Sequence, residues 1–402
     1  VTTHVGSRFT GCNRAFEFRA PSCSITFCVC SPRLRKRLPR MQGATHRMSR
    51  PLDELTPEDQ RRVMTELREI LSDPDPERAE RRRRELADTL RAAHPAVAAW
   101  IEAGEDTGGE TERHPALDEV EVDRGAVNAL RGRVVLVKYG GNAMIDETRK
   151  QSVIADICAL KSAGAMPVVV HGGGPVISEL LGEVGVETPF VGGHRKTNRE
   201  AMGYVEMALS GKVNSEIVKL IGIHGYRSVG ISGKDGGLAT ARKRIHRTRV
   251  GRRVRRSDLG QVGDVTSVDS DLPKLLLSGG YIPVIAPIGL GADLEDYNIN
   301  ADMFAGHVAA ALDAAALVIL TDVDGILLDH DDPATLIPEF TTHAARAEIG
   351  RIIQGGMIPK VESCLIALEG GVERACIVSG MTEHALLTAL LTSKQIGTTI
   401  HE

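Results

Sequence analysis

The sequence predicts an α/β fold: a three-layer α/β/α sandwich around a mainly parallel sheet, preceded by a short helical and partly disordered extension. Three observations predict it. From Arg131 onward, short continuous Val/Ile/Leu runs alternate with helix-length stretches, the pattern of parallel strands covered on both faces. Two of those runs end directly in glycine clusters. Charge is also segregated: residues 1–50 carry net +9 and residues 51–124 net −10, which leaves the other 278 residues at −3 within a chain net of −4. With 402 residues, 42% hydrophobic and 25% charged, the chain has room for two or three domains and is neither mainly disordered nor collagen-like.

Residues 1–50 are basic and are expected to be disordered or untranslated. Their Arg and Ser content suits an organellar transit peptide, although a start at Met41 or Met48 is the favoured reading. Cys12, Cys23, Cys28 and Cys30 crowd here, but their Cys-x-Cys pair lacks the second pair a zinc site needs. Seven cysteines without a disulfide pattern fit a reducing compartment, and a cytoplasmic location is expected. No stretch approaches the ~18–20 apolar residues of a membrane span.

Residues 51–114 read as short polar helices and a linker. Thr56-Pro57-Glu58 is a helix start with the apolar repeat Val63, Leu67, Leu71, stopped by Ser72-Asp73-Pro74. A second helix from about Pro76 carries Arg81–Arg84 among glutamates, then Leu86, Leu90 and Val97. Strands follow at Arg133–Val137, Pro167–Val170, Ser228–Ile231, Ile282–Ile288, Leu317–Leu320 and Ala375–Val378.

In open parallel sheets the ligand lies beyond the carboxyl ends of the strands. Gly140-Gly141 and Gly172-Gly173-Gly174 stand there, and without Cβ atoms they let backbone N–H groups approach a phosphate; tight turns are the competing reading. Two familiar nucleotide fingerprints fail. The G-x-G-x-x-G pattern meets Ile177 where its third glycine belongs, and Gly233-Lys234 lacks both the leading glycine and the following hydroxyl of a P-loop. Lys138 and Lys360 lie at strand and helix junctions, with Asp302 as a candidate to hold both. Phosphoryl transfer asks for such cations and donors around the moving group.

Val137–Met144 (VKYGGNAM), the His171–Pro175 cluster, Gly211–Asn214 (GKVN), Gly230–Leu238 (GISGKDGGL), Tyr297–Asp302 (YNINAD), Leu320–Gly325 (LTDVDG) and Gly355–Val361 (GGMIPKV) occur in order over some 270 residues. Together they resemble the N-acetylglutamate kinases of the amino-acid kinase family. The resemblance implies the amino-acid kinase fold, with an acyl-substrate lobe over 115–311 and an ATP lobe over 312–402. It implies phosphorylation of the side-chain carboxylate of N-acetyl-L-glutamate by ATP with Mg2+, in arginine synthesis. Lys138, Lys360 and Asp302 would be catalytic. Gly140, Gly141, Gly172, Gly173, Gly174, Arg195, Asn298 and Asn300 would bind substrate; Gly233, Lys234, Thr321 and Asp322 would lie at the nucleotide. No dedicated metal ligands are implied, and a homodimer or higher homo-oligomer is.

Departures from the family pattern also carry expectations. Gly192–Asn198 reads GGHRKTN where N-G-L-R-V-T-D is usual, which implies a more positive surround for Arg195. A family helix before the first strand falls at Val122–Arg133, interrupted by Gly125, and Lys394 replaces an acid, against ordinary feedback by arginine. The Arg242–Arg256 run holds no acid but lacks interleaved aromatics, so a solvated β-hairpin is expected rather than a nucleic-acid surface. Another carboxylate, carbamate or nucleoside monophosphate kinase, or a binding module using the N-terminal extension, are the alternatives.

Overall fold

The computed structural model describes residues 15–20, 23–28, seven positions from 55 to 70, then 76–103, 113–191, 193–250, 253–329 and 332–402. They fall into two compact units, Val1–Asp106 and Thr107–Glu402.

In the first unit, β1 (Ala15–Ala20) and β2 (Cys23–Cys28) form an antiparallel pair. Met41 and Met48 lie outside the described residues, as do Leu67, Leu71 and the Ser72-Asp73-Pro74 stop. Thr56 is the expected cap: its Oγ1 accepts the Asp59 N–H at 3.2 Å and donates to Asp59 Oδ2 at 2.7 Å. Helix α1 (Pro76–Arg91) starts at the expected proline. It does not carry Val97, which belongs to α2 (Pro95–Ala103). Pro95 disfavours helical backbone at His94, so the chain turns and restarts with proline in its first helical turn. Val63, Leu86, Leu90, Val97 and Ile101 bury together as this unit's own core.

The second unit opens with α3 (Arg124–Leu130), so Gly125 does not interrupt the expected helix. It sits in the first turn, where a Cβ would come within 2.9 Å of the Asp123 carboxylate that caps the Ala126 N–H. Next come β3 (Val134–Tyr139), α4 (Glu147–Ser162), β4 (Met166–His171) and α5 (Gly174–Glu183). The short pair β5 (Phe190–Val191) and β6 (His194–Arg195) precedes α6 (Arg199–Glu206), a π turn over Met207–Val213, and α7 (Asn214–Ile223). Strand β7 (Ser228–Ser232) is followed by the long β8 (Ala239–Val250) and β9 (Arg253–Val268), then α8 (Asp271–Ser278). The run Ile282–Ile288 is two strands, β10 (Ile282–Ala286) and β11 (Ile288–Gly291), because Pro287 has no N–H to continue the ladder. The remainder is β12 (Asp296–Ile299), α9 (Ala301–Ala311), β13 (Ala316–Thr321), β14 (Ile326–Leu327), β15 (Leu336–Ile337), β16 (Glu339–Thr341), α10 (Thr342–Glu348), α11 (Ile358–Glu369), β17 (Arg374–Ser379), α12 (Ala385–Leu391) and β18 (Thr398–His401).

Eight strands make one sheet in the order β16, β18, β17, β13, β3, β4, β10, β7, parallel throughout except where β18 meets β17. Alternate residues of each strand enter different cores. Val135, Val137 and Tyr139 of β3 pack with α4, α7 and α12, whereas Leu136 packs with α9 and α11. Both faces are therefore covered, as the unbroken apolar runs require. The expected hairpin is β8 and β9, which close a small barrel with β11 and β12; its register sets Arg247 opposite Arg256. Chain order reverses between β3 and β13, which makes the carboxyl ends of those neighbours the crevice where a ligand belongs.

Candidate active site

Lys138 is the fifth residue of β3, on the face shared with Leu136, and that face carries α9 and α11. These helices bring Asp302 and Lys360 to it. Lys138 Nζ lies 2.8 Å from Asp302 Oδ1, and Lys360 Nζ lies 2.9 Å from Oδ2. One carboxylate thus bridges two ammonium groups, with side-chain exposures of only 8%, 7% and 16% for Lys138, Asp302 and Lys360. Burial pushes the Asp302 carboxyl up, but Lys138 and Lys360 together hold it below its ordinary value. Burial lowers the Lys138 pKa, partly countered by Asp302 and reinforced by Lys360.

The two helices can meet this closely because Gly306 has no side chain. A Cβ there would come within 2.5 Å of Ser363 O, and Ser363 Oγ donates to Asp302 O at 2.5 Å. Asn300 serves the same assembly: its Oδ1 accepts the N–H groups of Asp302 and Met303 at 3.0 and 3.1 Å and caps α9. Its side-chain oxygen is therefore engaged in placing Asp302, not held out for a substrate. Asn298 lies on β12, two residues before that cap, with Tyr297 and Ile299 on the other face of the strand.

The glycines line the same strand ends. Gly172 N–H donates to Tyr139 O at 2.7 Å, tying the end of β4 to that of β3. A Cβ on Gly140 would meet Lys138 Nζ at 2.7 Å. Gly141, at φ +75°, would put a Cβ 2.3 Å from the Asp322 carboxylate, so Asp322 and the glycines share the crevice. Thr321 ends β13 and its carbonyl accepts the Gly380 N–H at 2.8 Å. Gly173 precedes α5 with no side-chain cap, and Gly174 begins the helix, leaving first-turn N–H groups for an anion.

Arg195 approaches from β6. Its guanidinium donates to Ser178 Oγ at 2.6 Å, Thr188 Oγ1 at 2.9 Å and Gly174 O at 3.2 Å, and lies 4.7 Å from the Phe190 ring centroid. These partners are all neutral, which leaves the cation's charge for an anionic ligand. His194 points the other way. Burial first, then Arg244 and His246, bring its pKa to about 4, so it does not add the positive charge expected beside Arg195. Asn198, in place of the family's acid, caps α6 through the Ala201 N–H at 2.8 Å.

Gly233 and Lys234 are not brought to Thr321 and Asp322. They follow β7, four strands from β13, or roughly 19 Å at the usual interstrand spacing. Lys234 Nζ instead pairs with Glu206 at 2.7 Å and Asp296 at 3.2 Å, and a Cβ on Gly233 would strike Ile288 O.

Sequence reasoning gave no role to two residues within its own motifs. His171 is fully buried, its Nδ1 2.8 Å from Gly172 O and its Nε2 3.1 Å from Asn214 Nδ2. A buried polar side chain at the end of an apolar strand needs partners, but which ones is set by the fold and not by the local sequence. Among the described residues no group of three or more His, Cys, Asp or Glu side chains converges as a metal cage. No helix among them is long and apolar enough to cross a membrane.

Comparison with known proteins places this geometry. The chain is 46% identical over 290 residues to the acetylglutamate kinase of Symbiobacterium thermophilum, covering 71% of this chain and 98% of that protein. It is 48% identical over 276 residues to the acetylglutamate kinase of Geotalea uraniireducens, covering 68% and 94%. Its fold is similar to a Neisseria gonorrhoeae N-acetylglutamate synthase structure at TM-score 0.59 and 23% identity, over 74% of this chain and 64% of that one. The model of the amino acid kinase family matches residues 133–379, which hold Lys138, Asp302, Lys360, both glycine clusters and Arg195, and this chain belongs to that family.

Proposed function

We propose that the chain transfers the γ-phosphoryl group of ATP to the side-chain carboxylate of N-acetyl-L-glutamate, giving the acyl phosphate and ADP in arginine synthesis. The observation that carries the reading is the Lys138–Asp302–Lys360 bridge beside two glycine clusters at the sheet's reversal point. The similarity to acetylglutamate kinases supports the choice of acceptor.

A carboxylate acceptor, with a pKa of about 4.3, is already ionised at neutral pH and needs no general base. What the step needs is relief of repulsion between two anions and stabilisation of charge on the moving phosphoryl group. One carboxylate oxygen bonds to the γ-phosphorus as the bond to the β,γ-bridging oxygen breaks, and ADP leaves with that electron pair. Lys138 and Lys360 stand on either side of Asp302, which keeps two buried cations close without their repelling each other apart. The Gly140-Gly141 and Gly172–Gly174 segments supply backbone donors, and Arg195 takes the acceptor's α-carboxylate. Magnesium brought in with ATP would supply further charge neutralisation. Asp322, a hard oxygen donor beside Gly141, suits it. In this reading residues 115–311 form the acyl-substrate lobe and 312–402 the ATP lobe, with Thr321 and Asp322 at the nucleotide.

Hydroxylamine trapping of the acyl phosphate across a panel of acceptors tests the assignment. Hydroxamate formation that saturates with N-acetylglutamate is expected; folded protein inactive on it but active on aspartate, carbamate or a nucleoside monophosphate would reassign the acceptor.

A further inference from the structure

We infer that His171 and Asn214 are positioning residues that hold the Gly172–Gly173 peptide with its N–H turned toward the reacting groups, an inference resting on the phosphotransfer reading above.

Asn214 begins α7 immediately after the π turn, and its Nδ2 donates to Val284 O at 2.9 Å and to His171 Nε2 at 3.1 Å, with Ile231 O farther off at 3.3 Å. An amide NH2 can only donate, so Nε2 accepts and the imidazole proton sits on Nδ1. That proton is donated to Gly172 O at 2.8 Å. In a planar trans peptide the C=O and N–H point in opposite directions. Drawing the Gly172 carbonyl back onto His171 therefore turns the Gly173 N–H away from the imidazole, outward from the end of β4. Leu209, on the π turn, wedges the next residue: a Cβ on Gly173 would lie 2.6 Å from its Cδ2.

Space for the chain of donors is built into the sheet. A Cβ on Gly230 of β7 would fall 1.8 Å from Asn214 Oδ1, so glycine there is what admits the amide. Each donation also polarises the next group, which makes the terminal N–H a stronger donor to an anion. Burial keeps His171 uncharged over the neutral range, its pKa brought down to about 4. The face opposite Lys138 thus contributes to the same reaction centre through a neutral relay.

Full-length His171→Phe, His171→Asn and Asn214→Leu proteins test this through kcat and KM for ATP and N-acetylglutamate, thermal unfolding, and the Gly173 amide proton shift without substrates. An Asn at 171 places an N–H near the position of Nδ1–H. Losing a donor outright costs ~10²–10³ in kcat, so misorienting one should lower kcat by ~10–100-fold in His171→Phe and Asn214→Leu, with KM within about threefold. His171→Asn should recover most of the turnover, and the Gly173 amide proton should move upfield in His171→Phe and Asn214→Leu but not in His171→Asn. Folded His171→Phe with wild-type kcat, or His171→Asn as impaired as His171→Phe, overturns the inference. If His171→Phe does not fold, Asn214→Leu decides by the same criteria. Wild-type protein inactive on N-acetylglutamate with the amide shifts as expected would remove the substrate assignment and leave the positioning role standing.

Discussion

Asp302 is the residue on which the site's electrostatics turn. It is an acid whose job is to be surrounded by cations, and its depressed pKa is the thermodynamic mark of that. Asp302→Asn removes the charge that keeps Lys138 and Lys360 together. Breaking a buried ion pair from one side costs ~3–5 kcal/mol. Denaturant unfolding of Asp302→Asn should show a loss toward that range together with collapsed turnover; unchanged stability would mean that the bridge is not formed in solution. The sequence marked Lys138 and Lys360 at strand and helix junctions with Asp302 as a candidate to hold both, the resemblance implied their roles, and the fold brings the three together. His171 and Asn214 were not legible in the sequence, because a single His closing an apolar strand reads as a core residue until its partners are known. Asn300 had its substrate role only from the resemblance, and the α9 geometry adds that its side-chain oxygen caps the helix carrying Asp302.

At the scale of elements, strand parity distributes the roles. Even-numbered positions of β3 face α9 and α11, so Lys138 meets Asp302 and Lys360, while His171 of β4 faces α7 and meets Asn214. The parallel sheet was readable from its Val/Ile runs; the parity was implicit in the same runs but needed helix positions to acquire meaning. Gly306 fixes the spacing of α9 and α11. Gly306→Val should push α9 from α11, costing ~1–3 kcal/mol as overpacking does and lowering kcat more than a stability loss alone explains. A Gly306→Val enzyme with wild-type kcat and melting temperature would show that the helices do not need this approach. The resemblance implied that Gly233-Lys234 lies at the nucleotide with Thr321-Asp322, whereas strand order, which is not local, sets the two pairs four strands apart.

For the whole molecule, histidines shape the pH dependence with opposite signs. His384 donates to or pairs with Asp156 at 2.6 Å and Glu119 at 3.1 Å, which push its pKa up to about 9. Its stabilisation is complete below the unfolded value of about 6.5 and is lost as pH rises through about 9. His171 and His194, brought down to about 4, are stabilising when neutral, so their contribution falls away as pH drops from about 6.5 toward 4. Melting temperature should therefore peak near neutrality, and His384→Gln should flatten the alkaline limb while sparing the acid one; an unchanged alkaline limb would remove His384 from this role. Charge segregation along the sequence marks the N-terminal third as a different kind of chain, and the unit Val1–Asp106 has its own apolar cluster. Deleting residues 1–106 should leave a folded protein with unchanged turnover, read from circular dichroism and steady-state kinetics.

The most direct test is a single-turnover reaction of γ-labelled ATP with saturating N-acetylglutamate, comparing wild type with Lys138→Ala and Lys360→Ala at matched folded fraction. Label should pass to the acyl acceptor in wild type, with rates at least ~10²-fold lower in both variants. Transfer at the wild-type rate in either variant would contradict a phosphoryl-transfer site built on the Lys138–Asp302–Lys360 bridge.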